Sequence, residues 1–307
     1  MQRFDLAIAY DWEHDADLVA LLQGHLNSLG LNAYIVKPEN LEFILDSIGN
    51  GQLLFTSLFD RASDTSAEFV RLQSLLSTRT CEIIEPIEKM RWAMDKATMH
   101  LEFVARGVRT PYTVILPPLE SDPEPAFSRE DLASLGTPFV IKPANTTGGG
   151  QGVIKDAAFI EQIHKARQEY PRDKYLIQEN IEPYQQDGLI FWFRVFYAFG
   201  LILCSWWNPH TFSYRGVSDL EMETFKLSPL KSLTESIARI CRLRLFSTEI
   251  AMDAKGQFVT VDYVNESPDL RLQSIHIDGI PDDMVNRISM RLARYVETLS
   301  LKVQRSS

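Results

Sequence analysis

Cysteine is scarce and unpatterned. Cys81, Cys204 and Cys241 are odd in number and show no CxxC spacing, which excludes a disulfide framework and a zinc ribbon. A reducing, cytoplasmic setting is expected. Basic charge is also short: 31 Lys and Arg face 41 Asp and Glu, a formal net charge of −10. A nucleic-acid partner, which needs a basic surface, is therefore not expected. No uninterrupted apolar run has membrane-spanning length. Leu189 to Trp207 comes closest, but it contains Arg194, and Gly200 divides it. Its Phe, Trp, Tyr, Val and Ile suit two buried strands joined by a turn, so no membrane partner is expected. Met1-Gln-Arg-Phe-Asp5 is not followed by an apolar core long enough for a secretion signal. Two nucleotide fingerprints are missing as well. The turn Asp11-Trp-Glu-His14 after the first strand has no glycine, and no Gly-Lys-Ser/Thr closes a glycine loop. No Ser-His-Asp or Cys-His arrangement calls for a protein nucleophile, and repeats and low-complexity tracts are absent.

What is present is an ordinary globular composition, 45% apolar and 23% charged over 307 residues, enough for a large core and roughly two domains. Strand signals at Phe4–Tyr10, 31–36 and 52–56 alternate with helical spacing at Asp15–Leu29 and 41–48, which predicts a small parallel sheet. A fourth strand is expected at 81–86, then one helix over Ile87–Arg106 that carries Lys96 and stops at Gly107. A strand at 108–116 and a proline- and acid-rich linker at 117–130 lead to a helical turn at 131–135 and an apolar strand, Phe139-Val-Ile141. Beyond it the pattern predicts a helix at 156–169, a strand at Tyr175–Glu179, and the aromatic hairpin. A polar, mobile loop follows at 211–226, then a helix at 230–243, paired strands at 246–252 and 258–264, and an amphipathic helix at 281–301 with Arg287, Arg291 and Arg294 in water. The class is α/β, turning α+β in the C-terminal part, with segments at 1–85, 86–180 and 181–307.

The chemistry concentrates after residue 138. Phe139-Val-Ile141 delivers Lys142, and a polar turn runs into Gly148, Gly149, Gly150 and Gly152. Glycine lets main-chain N–H groups approach an anion closely, so a strand lysine beside such a flap is a candidate phosphate site. The alternative is a slack hairpin tip. Downstream, Gln178-Glu-Asn-Ile181 ends a strand with main-chain groups free to read an adenine edge. Glu249 and the set Asp262, Asn265 and Glu266 fall on two further strands. Carboxylate and amide oxygens facing phosphates form the hard-oxygen shell that Mg²⁺ prefers. A solvated edge residue is the alternative for Glu249, and an Asx turn for Asp262 with Asn265.

The series Lys96, Lys142 with its glycine flap, Gln178-Glu-Asn-Ile181, Phe193-Arg-Val-Phe196, Glu249 and Asp262…Asn265-Glu-Ser-Pro268 resembles the ATP-grasp superfamily over about residues 85 to 300. Its nearest likeness is to the glutathione-synthetase and glutamate-ligase branches. The resemblance implies a small α/β N-terminal domain followed by a two-subdomain ATP-grasp fold that binds ATP and Mg²⁺. Lys96 and Lys142 would bind phosphates, and Gly148, Gly149, Gly150 and Gly152 would close over them. Gln178, Glu179 and Ile181 would hold adenine, with Glu182 or Asp187 on the ribose. Arg194 would face the transferring phosphoryl group, and Glu249, Asp262 and Asn265 would hold metal. His210, Tyr214, Arg215 and Arg271 are candidate substrate contacts, each with a plain surface role as the alternative.

The implied activity is an ADP-forming ligase that joins a small carboxylate to an amine or thiol through an acyl phosphate, in a protein expected to form homodimers. A small-molecule kinase and a degenerate nucleotide-binding protein are the alternatives. Two positions depart from the pattern. Trp192 stands where an acid usually precedes the strand arginine, and Tyr263 where an acid usually precedes Asn265. Because side chains alternate along a strand, Asp262 and Asn265 face opposite sides unless a bulge intervenes. Either the bulge exists, or Glu266 substitutes, or one metal position is lost.

Overall fold

The computed structural model describes residues 1–124, 127, 129–145 and 150–306. The chain opens with β1 (Gln2–Ala9), α1 (Ala16–Ser28), β2 (Ala33–Val36), α2 (Leu41–Gly49), β3 (Leu53–Asp60), α3 (Ala67–Ser77) and β4 (Glu82–Ile83). The strands form one parallel sheet in the order β2-β1-β3-β4. Leu6, Ala7, Ile8 and Ala9 are completely buried, as a parallel strand covered on both faces must be. β3 runs on to Asp60 and delivers a charged pair, Asp60 and Arg61, to the carboxyl edge of the sheet. α3 has no counterpart in the sequence reading, because buried Gln73 interrupts its apolar face of Phe69, Leu72 and Leu76.

The single helix expected over 87–106 is two, α4 (Ile87–Met94) and α5 (Lys96–Ala105). Asp95 between them is extended, and its carboxylate accepts from the N–H groups of Ala97 and Thr98, both at 3.0 Å. That N-cap turns Lys96 from a mid-helix residue into the first residue of a helix, where the backbone favours anions. Next come β5 (Thr113–Leu116), α6 (Arg129–Leu135), β6 (Phe139–Pro143), β7 (Ile154–Ala157), α7 (Ile160–Glu169) and β8 (Tyr175–Glu179), an antiparallel sheet ordered β5-β8-β6-β7. The helix expected from residue 156 starts only at Ile160, because Ile154–Ala157 is a strand paired with β6.

The rest of the chain forms a short hairpin, β9 (Gln185–Gln186) and β10 (Leu189–Ile190), then β11 (Trp192–Ala198), β12 (Leu201–Asn208), β13 (Ser213–Gly216), α8 (Asp219–Thr224), α9 (Pro229–Cys241), β14 (Leu245–Met252), β15 (Phe258–Asn265) and α10 (Asp282–Ser306). Five strands make an antiparallel sheet, β13-β12-β11-β14-β15. The stretch expected to be a mobile loop is instead β13, hydrogen-bonded to the edge of β12, and α8, closed by a capping box of Ser218 and Glu221. Leu189 to Trp207 is β10, β11 and most of β12, and among the described residues no helix is long and apolar enough to cross a membrane.

Helices pack between the sheets. α4 and α5 bury Met90, Ala93, Met99 and Phe103 against Ile237 of α9, Phe246 of β14 and Tyr263 of β15. α10 returns to the first sheet, with Val285, Leu292 and Val296 packed among Leu6, Ile8, Leu22 and, from the third sheet, Phe196 and Leu203. One face of the five-stranded sheet is thus turned towards the carboxyl edge of the parallel sheet.

Candidate functional site

Paired residues in an antiparallel sheet share a face, so the register assigns the side chains. Arg194 pairs with Ser205 and Glu249, Glu249 with Asp262, and Trp207 with Tyr214. With alternation along β11, this puts Trp192, Arg194, Trp207, Tyr214, Glu249 and Asp262 on the face turned towards the N-terminal sheet. Phe193, Trp206, Arg215 and Ile250 belong to the opposite face.

β15 settles the open question about Asn265. Ser247 pairs with Asn265 and Glu249 with Asp262, so β15 spends three steps where β14 spends two. The extra residue is a β-bulge, and Tyr263 and Val264 both turn into the core under it, with 0% and 4% exposure. Asp262 and Asn265 therefore face the same side. A second irregularity follows between Glu249 and Ile250.

Around this face the charges are dense. Arg194 forms an ion pair with Glu249, reaches Ser247 Oγ at 3.4 Å, and lies 5.2 Å from the centre of the Trp207 ring. Trp192, standing where an acid was expected, donates its indole N–H to Glu249 Oε2 at 3.0 Å. A carboxylate at 192 would repel Glu249; the indole instead tethers it. Lys142 is buried, its Nζ donating to the Val261 carbonyl at 3.1 Å and standing 5.3 Å from the centre of the Tyr263 ring. Burial, helped by neighbouring Lys96, lowers its pKa to about 8. Burial pulls the other way on Asp262, but Lys96, Lys142 and Arg194 together hold its carboxyl below the usual value. The Lys96 N–H donates to the Ala144 carbonyl at 3.2 Å, which ties the start of α5 to the end of β6 and brings the two lysines together.

The other expected site residues scatter more. Gln178 is buried and points inward, donating to the Tyr263 hydroxyl at 2.7 Å and to Thr113 Oγ1 at 2.8 Å, so its side chain is not turned to an adenine edge. Glu179 accepts from the Tyr112 N–H at 3.1 Å, and Ile181 is half-buried. Glu182 and Asp187 are exposed, with Asp187 at a positive φ of 52°. Gly150 and Gly152 have φ of 80° and 69°, and a Cβ on Gly152 would meet Tyr170 Cε2 at 2.9 Å. Gly148 and Gly149 lie outside the described residues. Among the substrate candidates, Tyr214 packs on Trp207 at 4.4 Å beside Arg194, and burial pushes its hydroxyl up to about 12. Arg215 is on the far face, paired with Glu221 over the Trp206 ring. His210 is exposed in the turn after β12. Arg271 is held by Asp269 and Asp278, 5.8 Å from the centre of the Trp12 ring.

Sequence reading missed Arg61 and His100. Arg61 forms a buried ion pair with Asp15 at 2.9 Å and donates to the Pro268 carbonyl at 3.2 Å, fastening the N-terminal sheet to the loop after β15. In that loop, burial pushes the Glu266 carboxyl up to about 7. His100 on α5 is buried with Nδ1 2.7 Å from the Tyr263 hydroxyl, and burial together with Lys142 lowers it to about 4. The one available signal was a charged pair ending an otherwise apolar strand at Asp60-Arg61.

The arrangement is that of known structures. A RimK-domain ATP-grasp protein from Sphaerobacter thermophilus superimposes with a TM-score of 0.60 at 17% identity, over 94% of this chain and 98% of its own. The ATP-grasp ligase PsnB, solved with a minimal precursor, Mg and ADP, gives 0.64 at 12% identity over 96% and 98%. The chain has the ATP-grasp fold. D-alanine–D-alanine ligase from Bacillus anthracis, solved with ATP, also shares this arrangement, with a TM-score of 0.63 at 12% identity over 100% and 99%. No protein-family model matches the sequence, and no curated protein matches it significantly. In this ATP-grasp chain the likeness lies in the order and pairing of strands, which 12–17% identity leaves intact.

Proposed function

We propose that the protein is an ATP- and Mg²⁺-dependent, ADP-forming ligase that joins a small carboxylate to an amine or thiol. The supporting observation is that Arg194, Glu249, Asp262 and Asn265 share one face of the five-stranded sheet, with Lys96 of α5 and Lys142 of β6 close enough to act on the Asp262 carboxylate. Three cations at one place suit the charge that builds up during phosphoryl transfer.

The metal donors fit Mg²⁺ by chemistry: two carboxylates and one amide oxygen are hard donors. Among the described residues no three His, Cys, Asp or Glu converge on a metal. Mg²⁺ needs no such cage, since it binds through one or two carboxylates plus substrate phosphates. When bound, the ion offsets phosphate charge. Lys142 and Lys96 bind and orient the phosphates, and Arg194 meets the oxygens of the moving phosphoryl group once it exchanges Glu249 for them. A substrate carboxylate oxygen attacks the γ-phosphorus and the bond to the ADP oxygen breaks. The amine nitrogen or thiol sulfur then attacks the acyl carbon, phosphate leaves with the bonding electrons, and the nucleophile gives up a proton.

An ADP-release screen with Mg²⁺ against panels of amino acids, other carboxylates and amines tests this. A ligase releases ADP only with both partners and yields an adduct, whereas a kinase leaves a stable phosphoester. Absence of ATP·Mg²⁺ binding at millimolar concentration overturns the reading.

A further inference from the structure

Tyr263 stands where the ATP-grasp pattern suggested an acid, and it faces away from the metal donors. Its ring instead lies beneath the Lys142 ammonium, 5.3 Å from Nζ to the ring centre. Its hydroxyl accepts from Gln178 Nε2 at 2.7 Å and lies 2.7 Å from His100 Nδ1. Gln178 has a second bond, to Thr113 Oγ1. With the hydroxyl proton given to His100 Nδ1 and a lone pair given to Gln178 Nε2, the Tyr263 hydroxyl is held from two sides, which fixes the ring. Phe103 closes it edge-on at 5.3 Å.

We propose that Tyr263, held by His100 and Gln178, is a positioning residue that mounts Lys142 for the nucleotide phosphates. Two fixed groups hold the ammonium: the ring face below and the Val261 carbonyl at 3.1 Å. Asp262 and Glu249 act on the ammonium through space, while the two groups that touch it, the ring and the carbonyl, carry no net charge. An acid at 263 would cancel that charge; an aromatic ring orients it and leaves it for an anion. The mount also joins four elements, since Lys142 is on β6, Gln178 on β8, His100 on α5 and Tyr263 on β15. The proposal rests on the ligase reading insofar as the anion is ATP.

A double-mutant cycle tests it, read as binding of the non-hydrolysable analogue AMPPNP with Mg²⁺ by titration calorimetry on variants checked for folding. Tyr263→Leu should weaken binding about tenfold, because the ring beneath the charge is gone. Tyr263→Phe should stay within about threefold of wild type, since the ring remains, while its melting temperature falls because Gln178 and His100 lose their partner. In a Lys142→Ala background, Tyr263→Leu should cost nothing further. A purely structural tyrosine gives affinities that follow melting temperature, and additive losses in the cycle; either overturns the proposal. Should the wild type not bind the analogue, the ligase reading fails. The mount is then judged by crystal structures alone: Lys142 Nζ must leave the Val261 carbonyl in Tyr263→Leu and stay on it in Tyr263→Phe, and an unmoved Nζ in both refutes it.

Discussion

Replacing Lys142 by Met is expected to weaken nucleotide binding and yet not to weaken the fold at neutral pH. Lys142 is buried, with 7% of the residue exposed. Burial, with Lys96 near, lowers its pKa from 10.5 to about 8. Below pH 8 the group is charged in both the folded and the unfolded chain, and the folded chain bears the full penalty. Between pH 8 and 10.5 the unfolded chain binds more protons, so this group makes wild-type stability rise with pH. A depression of that size corresponds to about 3 kcal/mol of penalty at pH 7. Met keeps the stem and removes the charge. It also loses the bond to Val261 and the contact with the Tyr263 ring, worth about 2 kcal/mol together. The net expectation is a gain of about 1 kcal/mol at pH 7. The pH dependence is the sharper quantity, because the lost contacts cancel in it. The advantage of Lys142→Met over wild type should fall by about 2 kcal/mol between pH 7 and pH 9.5. Urea unfolding of both proteins across that range, with equal m-values, measures it. An advantage that is flat or grows with pH refutes the reasoning, and so does a loss of several kcal/mol at pH 7.

Further expectations follow from other sites. Glu85 is buried, its Oε1 accepting from the N–H groups of Arg244 and Leu245 and its Oε2 without a partner, and burial raises it to about 7. Its raised pKa makes wild-type stability fall as pH climbs from 4.5 through 7, so Glu85→Gln should match wild type near pH 4.5 and exceed it by about 2–3 kcal/mol at pH 8 in urea unfolding. Gly152→Ala forces a left-handed backbone on a residue whose Cβ meets Tyr170, and should cost about 1–2 kcal/mol and raise the KM for ATP. Equal stability there would mean the hairpin tip relaxes freely. Arg61→Ala leaves Asp15 buried and unpaired and should lose about 3–5 kcal/mol in urea unfolding, with a smaller loss in the double variant that also carries Asp15→Ala.

Local patterns were legible where one short-range rule governs. The buried first strand, the aromatic hairpin around Gly200 and the strand pair with its Lys255-Gly256 turn follow from period, composition and turn chemistry. The polar stretch at 211–226 was misread because β13 is an edge strand whose pairing with β12 is invisible in its own composition. The single helix at 87–106 was misread because Asp95 suits both a helix interior and an N-cap, and its neighbours Ala97 and Thr98 decide between them.

The sequence by itself determined the chemistry available: the two lysines, the strand arginine, the carboxylates and the glycine segment, in an order that resembles the ATP-grasp superfamily. It also exposed the two anomalies, Trp192 and Tyr263, without explaining them. Only the tertiary structure decided which way these residues point. A single extra residue in β15 brings Asp262 and Asn265 to one face and buries Tyr263, and register of that kind is set by the pairing of β15 with β14 rather than by β15 alone. The same holds for Gln178, whose side chain is claimed by the Tyr263 hydroxyl from a strand 85 residues away in sequence. Hydrogen-bond demand inside a closed core selects such partners, and no local pattern records it.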